Sequence, residues 1–201
     1  MRSLTASFLS LCSVAAAAGE VVLDNAYVRV TRDEISCPAA SAPNCGHRVI
    51  VAIADTSAGE RSLKRGDISV ALDNESVQLP TRPGYFEVVL KRQHPPAGKP
   101  KETIPAEKNA MLYDGACFFI FEERLAPGDT RARHSHSHRV VIQLNRATLR
   151  QWPDGMPEIV VETVPDKPLF NPPVIHTAKN VGDVPLLGVI IEFKPECGQG
   201  G

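Results

Sequence analysis

Three of the six histidines stand at alternate positions, His134, His136 and His138, in the run Arg131-Ala132-Arg133-His134-Ser135-His136-Ser137-His138-Arg139-Val140-Val141-Ile142. A neutral imidazole ring nitrogen is a ready ligand for a divalent transition metal. Side chains two apart on a strand leave the same face, so these rings can converge on one ion. That face continues into Val140, Ile142 and Leu144, which predicts that it points toward an apolar interior. Arg131, Arg133, Ser135, Ser137 and Arg139 fall on the opposite face, where the arginines are expected in water. A fourth histidine, His176, follows Asn171-Pro172-Pro173-Val174-Ile175, where the prolines fix the entry of another strand. The chemistry implied is metal coordination.

The elements that must position these residues come from a repeat. Asp24-Asn25-Ala26-Tyr27-Val28-Arg29-Val30 leads to His47-Arg48-Val49-Ile50-Val51-Ala52-Ile53, and Asp114-Gly115-Ala116-Cys117-Phe118-Phe119-Ile120 leads to His138-Arg139-Val140-Val141-Ile142-Gln143-Leu144. The two Asp-to-His spacings are 23 and 24 residues. Each half ends in an apolar strand, Phe86 to Leu90 and Gly188 to Phe193, that steps into lysine. Short β-branched runs separated by Pro, Gly, Asn and Asp turns predict strands throughout, and no stretch holds a helical period. Self-similarity at this scale signals two copies of one unit. The expected organisation is a signal peptide over 1–18, an N-terminal unit over 19–93, a polar Pro-rich linker over 94–109 and a C-terminal unit over 110–197.

Composition narrows the function classes. Hydrophobic residues make up 43% and charged residues 22%, a globular balance. Lysine plus arginine total 22 against 23 acids, which removes the basic footprint of a general nucleic-acid binder. No apolar run approaches the ~18 residues needed to span a bilayer. Arg2, the apolar stretch Leu4 to Val14 and Ala16-Ala17-Ala18 read as a secretory signal, so the expected location is periplasmic or secreted. In that compartment the remaining cysteines read as disulfides, with Cys37–Cys45 the close pair and Cys117–Cys197 the pair left over.

Gly128, five residues and His134-Ser135-His136 resemble the first motif of the cupin superfamily, and Pro172, His176 and Asn180 resemble the second. The resemblance implies an all-β fold of two tandem cupin barrels (double-stranded β-helix, or jelly-roll), with the N-terminal barrel degenerate. It implies metal ligands at His134, His136 and His176. The glutamate that usually follows the second histidine after three or four intervening residues is absent, because Val140 and Val141 stand there. His138 is a further ligand candidate, although its repeat partner His47 sits where no other ligand is found, which favours a structural role. The metal is one of Fe, Ni, Mn, Cu or Zn. Three neutral imidazoles leave its charge uncompensated, which favours a small anionic ligand.

Other residues read more simply. Glu122 and Glu123 are expected as a solvated strand end, Gln143 as exposed, and Tyr113, Trp152 and Phe170 as packing or a barrel mouth. The arginines at 131, 133, 139, 146 and 150 read as a solvated basic face. The leading function is a metal-dependent oxygenase, lyase or isomerase acting on a small anionic substrate. The competing class is a non-catalytic ligand-binding or structural module of the cell envelope, and a homo-oligomer is an open expectation for either.

Overall fold

In the computed structural model the described residues are 19–36, 46–73, 75, 80–96, 109–194 and 197, and they form sixteen strands. The expected signal segment 1–18, the Cys37–Cys45 pair and most of the linker lie outside them. The N-terminal strands are β1 (Glu20–Asp24), β2 (Val28–Arg32), β3 (His47–Ala52), β4 (Thr56–Ala58), β5 (Arg61–Leu63), β6 (Ile68–Ala71) and β7 (Tyr85–Leu90). They build a five-stranded antiparallel sheet in the order β1-β2-β7-β3-β6, with β4 and β5 as a separate hairpin.

The C-terminal strands are β8 (Asn109–Asp114), β9 (Phe118–Leu125), β10 (Thr130–His136), β11 (Arg139–Gln143), β12 (Thr148–Pro153), β13 (Ile159–Glu162), β14 (Leu169–Asn171), β15 (Val174–Asn180) and β16 (Leu186–Phe193). They form a five-stranded sheet, β8-β9-β16-β11-β14, and a four-stranded sheet, β10-β15-β12-β13. The first of these repeats the N-terminal sheet strand for strand. A bulge interrupts β1 at Val21/Leu23 and β8 at Met111/Tyr113, at matching places. Lys91 reaches Asp24 at 2.6 Å, and Lys194 reaches Asp114 at 2.6 Å. Two copies of one all-β unit, as the sequence repeat predicts, are what the chain builds.

The two five-stranded sheets share a core. Val28, Val30, Val49, Val51, Phe86, Val88 and Leu90 from the first pack with Phe118, Ile120, Val140, Ile142, Val189, Ile191 and Phe193 from the second. Val140, Ile142 and Leu144 therefore face the other half rather than the histidines, which corrects the strand reading. The break lies at Ser137 and His138, which belong to neither β10 nor β11. The chain changes sheets there, and the alternation restarts one residue out of phase. Inside the C-terminal barrel the opposite face carries Phe119, Phe121, Val141 and Ile190.

The turn that leads into β10 is locked from β15. Gly128 has φ of +82°, a left-handed conformation for which glycine carries little steric penalty. Asn180, fully buried, donates from Nδ2 to Leu125 O at 2.9 Å and Val184 O at 2.8 Å, and its Oδ1 accepts from Gly182 N at 3.0 Å. Asn180→Ala strands two carbonyls and one amide, and is expected to cost about 2 kcal/mol. A lower urea midpoint at unchanged slope is the expected reading; an unchanged midpoint would remove this role.

Candidate metal centre

His134 and His176 are direct cross-strand partners on β10 and β15. A register shift between Arg131 and His134 puts an irregularity at Ala132 and Arg133. As a result Arg131, His134 and His136 are all buried, while Ala132 and Arg133 stay exposed. The three imidazoles meet through one edge: His134 Nε2 lies 3.0 Å from His136 Nε2 and 3.1 Å from His176 Nε2. Two nitrogens each about 2.1 Å from one ion, at right angles, are about 3.0 Å apart, so these two spacings suit ligands of one metal, and all three donor atoms lie within 4.8 Å of one another.

The other ring nitrogens decide the protonation. His134 Nδ1 donates to Ala132 O at 2.7 Å, His136 Nδ1 to the Glu192 carboxylate at 2.8 Å, and His176 Nδ1 to Gln151 Oε1 at 3.1 Å. Every partner is an acceptor, so every Nδ1 carries the hydrogen and every Nε2 is left as a bare lone pair. Burial, the largest cause, holds all three rings neutral. His134 and His136 sit below the ordinary imidazole value, and His176 is pushed down to about 3, with the neighbouring imidazoles adding to the effect. His134 Nε2 lies at hydrogen-bond distance from both of the other lone pairs with no proton between them, so the three repel one another. A cation resolves that repulsion, so the donor set fits a metal.

No protein-family model matches the chain, and no curated protein matches it. Among solved structures, a cupin 2 conserved barrel domain protein from Leptotrichia buccalis superposes with a TM-score of 0.52, at 13% identity, over 92% of this chain and 93% of that one. AerE from Microcystis aeruginosa superposes with a TM-score of 0.50, at 14% identity, over 87% of this chain and 96% of that one. The chain has the cupin fold.

Within this cupin frame the three histidines of the two motifs come together, and His138 does not join them. Its ring lies against Phe170 at 5.8 Å and Tyr27 at 6.3 Å, in the seam between the halves. His47 mirrors it, 5.4 Å from Phe118. Tyr113 and Phe170 are core partners, and Trp152 is exposed. Glu122 pairs with Arg124, while Glu123 turns inward to Arg131. Burial alone would push the Glu123 carboxyl up, but the Arg131 guanidinium beside it holds it below the usual range.

Three readings of exposure are corrected. Arg131 and Arg139 are buried rather than solvated, and so is Gln143. With Glu123, His136 and His176 they line a cavity of about 90 Å³. The cause is the phase change at Ser137 and His138, which turns Arg139, Val141 and Gln143 inward. Arg133, Arg146 and Arg150 are exposed, as expected.

The residue missed at the sequence level is Glu192. It is 1% exposed and accepts from His136 Nδ1 at 2.8 Å and Ser137 N at 2.7 Å. It does not replace the missing glutamate among the Nε2 donors; it orients one of them from behind. A signal for it was present. Aligning the repeats by register places Glu192 opposite the N-terminal Val89, a charge where the first copy has an apolar residue.

Cys117 and Cys197 bring their sulfurs to disulfide distance, with Cα atoms 4.8 Å apart. No helix among the described residues is long and apolar enough to cross a membrane.

Proposed function

We propose that this cupin binds a divalent transition metal through His134, His136 and His176 and uses it to hold and activate a small anionic ligand inside the C-terminal barrel. The convergence of three deprotonated Nε2 atoms carries the reading. The bound metal would supply Lewis-acid polarisation and a template for a chelating ligand. The chain's own residues do the rest. Glu192, Gln151 and the Ala132 carbonyl fix the rings. An oxygenase, lyase or isomerase is the enzyme class that suits such a centre, and the sulfurs at disulfide distance support an exported location.

The second reading, a ligand-binding module without turnover, is favoured by the two buried carboxylates nearest the histidines. Glu123 is tied to Arg131 and Glu192 to His136 and Ser137, so neither is poised as a free general base.

Thermal unfolding tests the metal reading. A metal at a hundred times its dissociation constant adds about 2.7 kcal/mol to the folded state. For a chain of this size that raises the midpoint by several degrees. The wild type is expected to show this with at least one of Fe(II), Mn(II), Ni(II), Cu(II) or Zn(II) and to lose it with chelator. His176→Ala is expected to show no shift. Equal midpoints with and without every metal would overturn the reading.

A further inference from the structure

Arg139 is the charged group of the cavity that the metal reading leaves unused. Its side chain is 93% removed from solvent, on β11, in the wall that also holds His136 and His176. Nη1 donates to Ser137 O at 3.2 Å and Pro172 O at 2.9 Å, two neutral carbonyls. Its cross-strand neighbour Glu192 spends its oxygens on His136 and Ser137. Glu123, which lines the cavity, is paired to Arg131. Among the described residues no carboxylate lies within ion-pair distance of Arg139, and Nε and Nη2 have no hydrogen-bond partner. Glu192 and Glu123 favour its charge only through space and do not offset its burial, so a guanidinium this buried still lacks a directly bonded counter-charge. The free Nε–Nη2 edge is the planar two-donor fork that matches the two oxygens of a carboxylate.

We propose that Arg139 is the ligand's anchor: the Nε–Nη2 edge takes the carboxylate of a short-chain organic acid whose remaining atoms extend toward the three histidines. The proposal rests on the metal reading for that second contact and names the ligand class for the same site. Size supports it. The cavity, at about 90 Å³, is smaller than the ~150 Å³ apolar cavity that admits benzene in an engineered protein, so a large ring does not fit the enclosed part. Arg48 holds the same place in the N-terminal repeat and is also buried, but there Nη2 donates to the Glu75 carbonyl. The open edge is a property of the C-terminal copy.

The test measures propionate, propionamide and inorganic phosphate binding to the full chain by calorimetry, zinc-loaded and zinc-free, with zinc content determined in every sample. Propionate is expected to bind zinc-loaded wild type, and propionamide and phosphate at least tenfold more weakly. Arg139→Gln is expected to lose tenfold or more in propionate affinity while keeping its zinc. Arg139→Lys, which keeps the charge but not the fork, should recover part of it and remains informative if the glutamine variant fails to fold. Unchanged propionate affinity in a folded Arg139 variant would overturn the anchor, as would tighter binding of phosphate or propionamide, or no propionate binding by wild type in either state. A wild type that takes up no zinc yet binds propionate through Arg139 would sink the metal reading and leave the anchor standing.

Discussion

Glu192→Ala is expected to destabilise the metal-free protein by about 3 kcal/mol, since each buried donor stripped of its acceptor costs roughly 1–3 kcal/mol. Two such donors depend on this carboxylate, His136 Nδ1–H at 2.8 Å and the Ser137 amide at 2.7 Å. They flank the point where the chain leaves β10 for β11, so the loss also loosens the phase change that turns Arg139 inward. Glu192→Gln keeps the shape and one acceptor oxygen and should cost less stability. It withdraws the charge behind His136, and loss of such an orienting partner typically lowers metal affinity 10- to 100-fold. Urea unfolding of both variants and a competitive metal titration of the glutamine variant check the two effects separately. Wild-type metal affinity in Glu192→Gln would show that the carboxylate serves the fold alone.

The metal-free protein is expected to lose stability steeply in acid through its histidine cluster. His176 titrates at about 3 in the folded chain, against an ordinary value of 6.5. Between those limits the unfolded chain binds a proton that the folded chain refuses, so stability falls as pH drops. The contribution is complete above about pH 6.5 and lost through the window down to about pH 3. A shift of that size corresponds to about 4–5 kcal/mol for His176 alone. That is comparable with the whole stability of an ordinary domain, about 5–15 kcal/mol. His134 and His136 shift in the same direction. Urea midpoints of chelated protein should therefore fall from pH 7 to pH 4, and His176→Gln should flatten the slope. A midpoint indifferent to pH over that range, or a slope untouched by the substitution, would contradict the buried, neutral cluster.

Much of this architecture is legible in the sequence. The repeat predicted two copies of one sheet, and the strand orders β1-β2-β7-β3-β6 and β8-β9-β16-β11-β14 show why: matched apolar runs pair in matched order. The convergence of His134, His136 and His176 followed from alternation on one strand and the second histidine motif. What failed was alternation carried past its limits. A bulge beside Ala132 and Arg133 and a sheet change at Ser137 and His138 each reset the phase. Alternation therefore assigns Arg131, Arg139 and Gln143 to water and keeps His138 as a weaker ligand candidate. Irregularities of this kind depend on which strand sits alongside, which a single run of residues does not contain. Glu192 was hidden for the same reason, since it lies 56 residues from His136 and is brought there only by strand pairing.

The proposed function stands on one metal ion held by His134, His136 and His176. The most direct measurement is the metal content of the untagged chain by mass spectrometry, beside a His134→Ala/His176→Ala double variant whose folding is confirmed by circular dichroism. One transition-metal ion per chain is expected in the wild type, purified or reconstituted, and none in the variant. No metal in the wild type after reconstitution with Fe, Mn, Ni, Cu and Zn, or equal metal in both proteins, would contradict the claim.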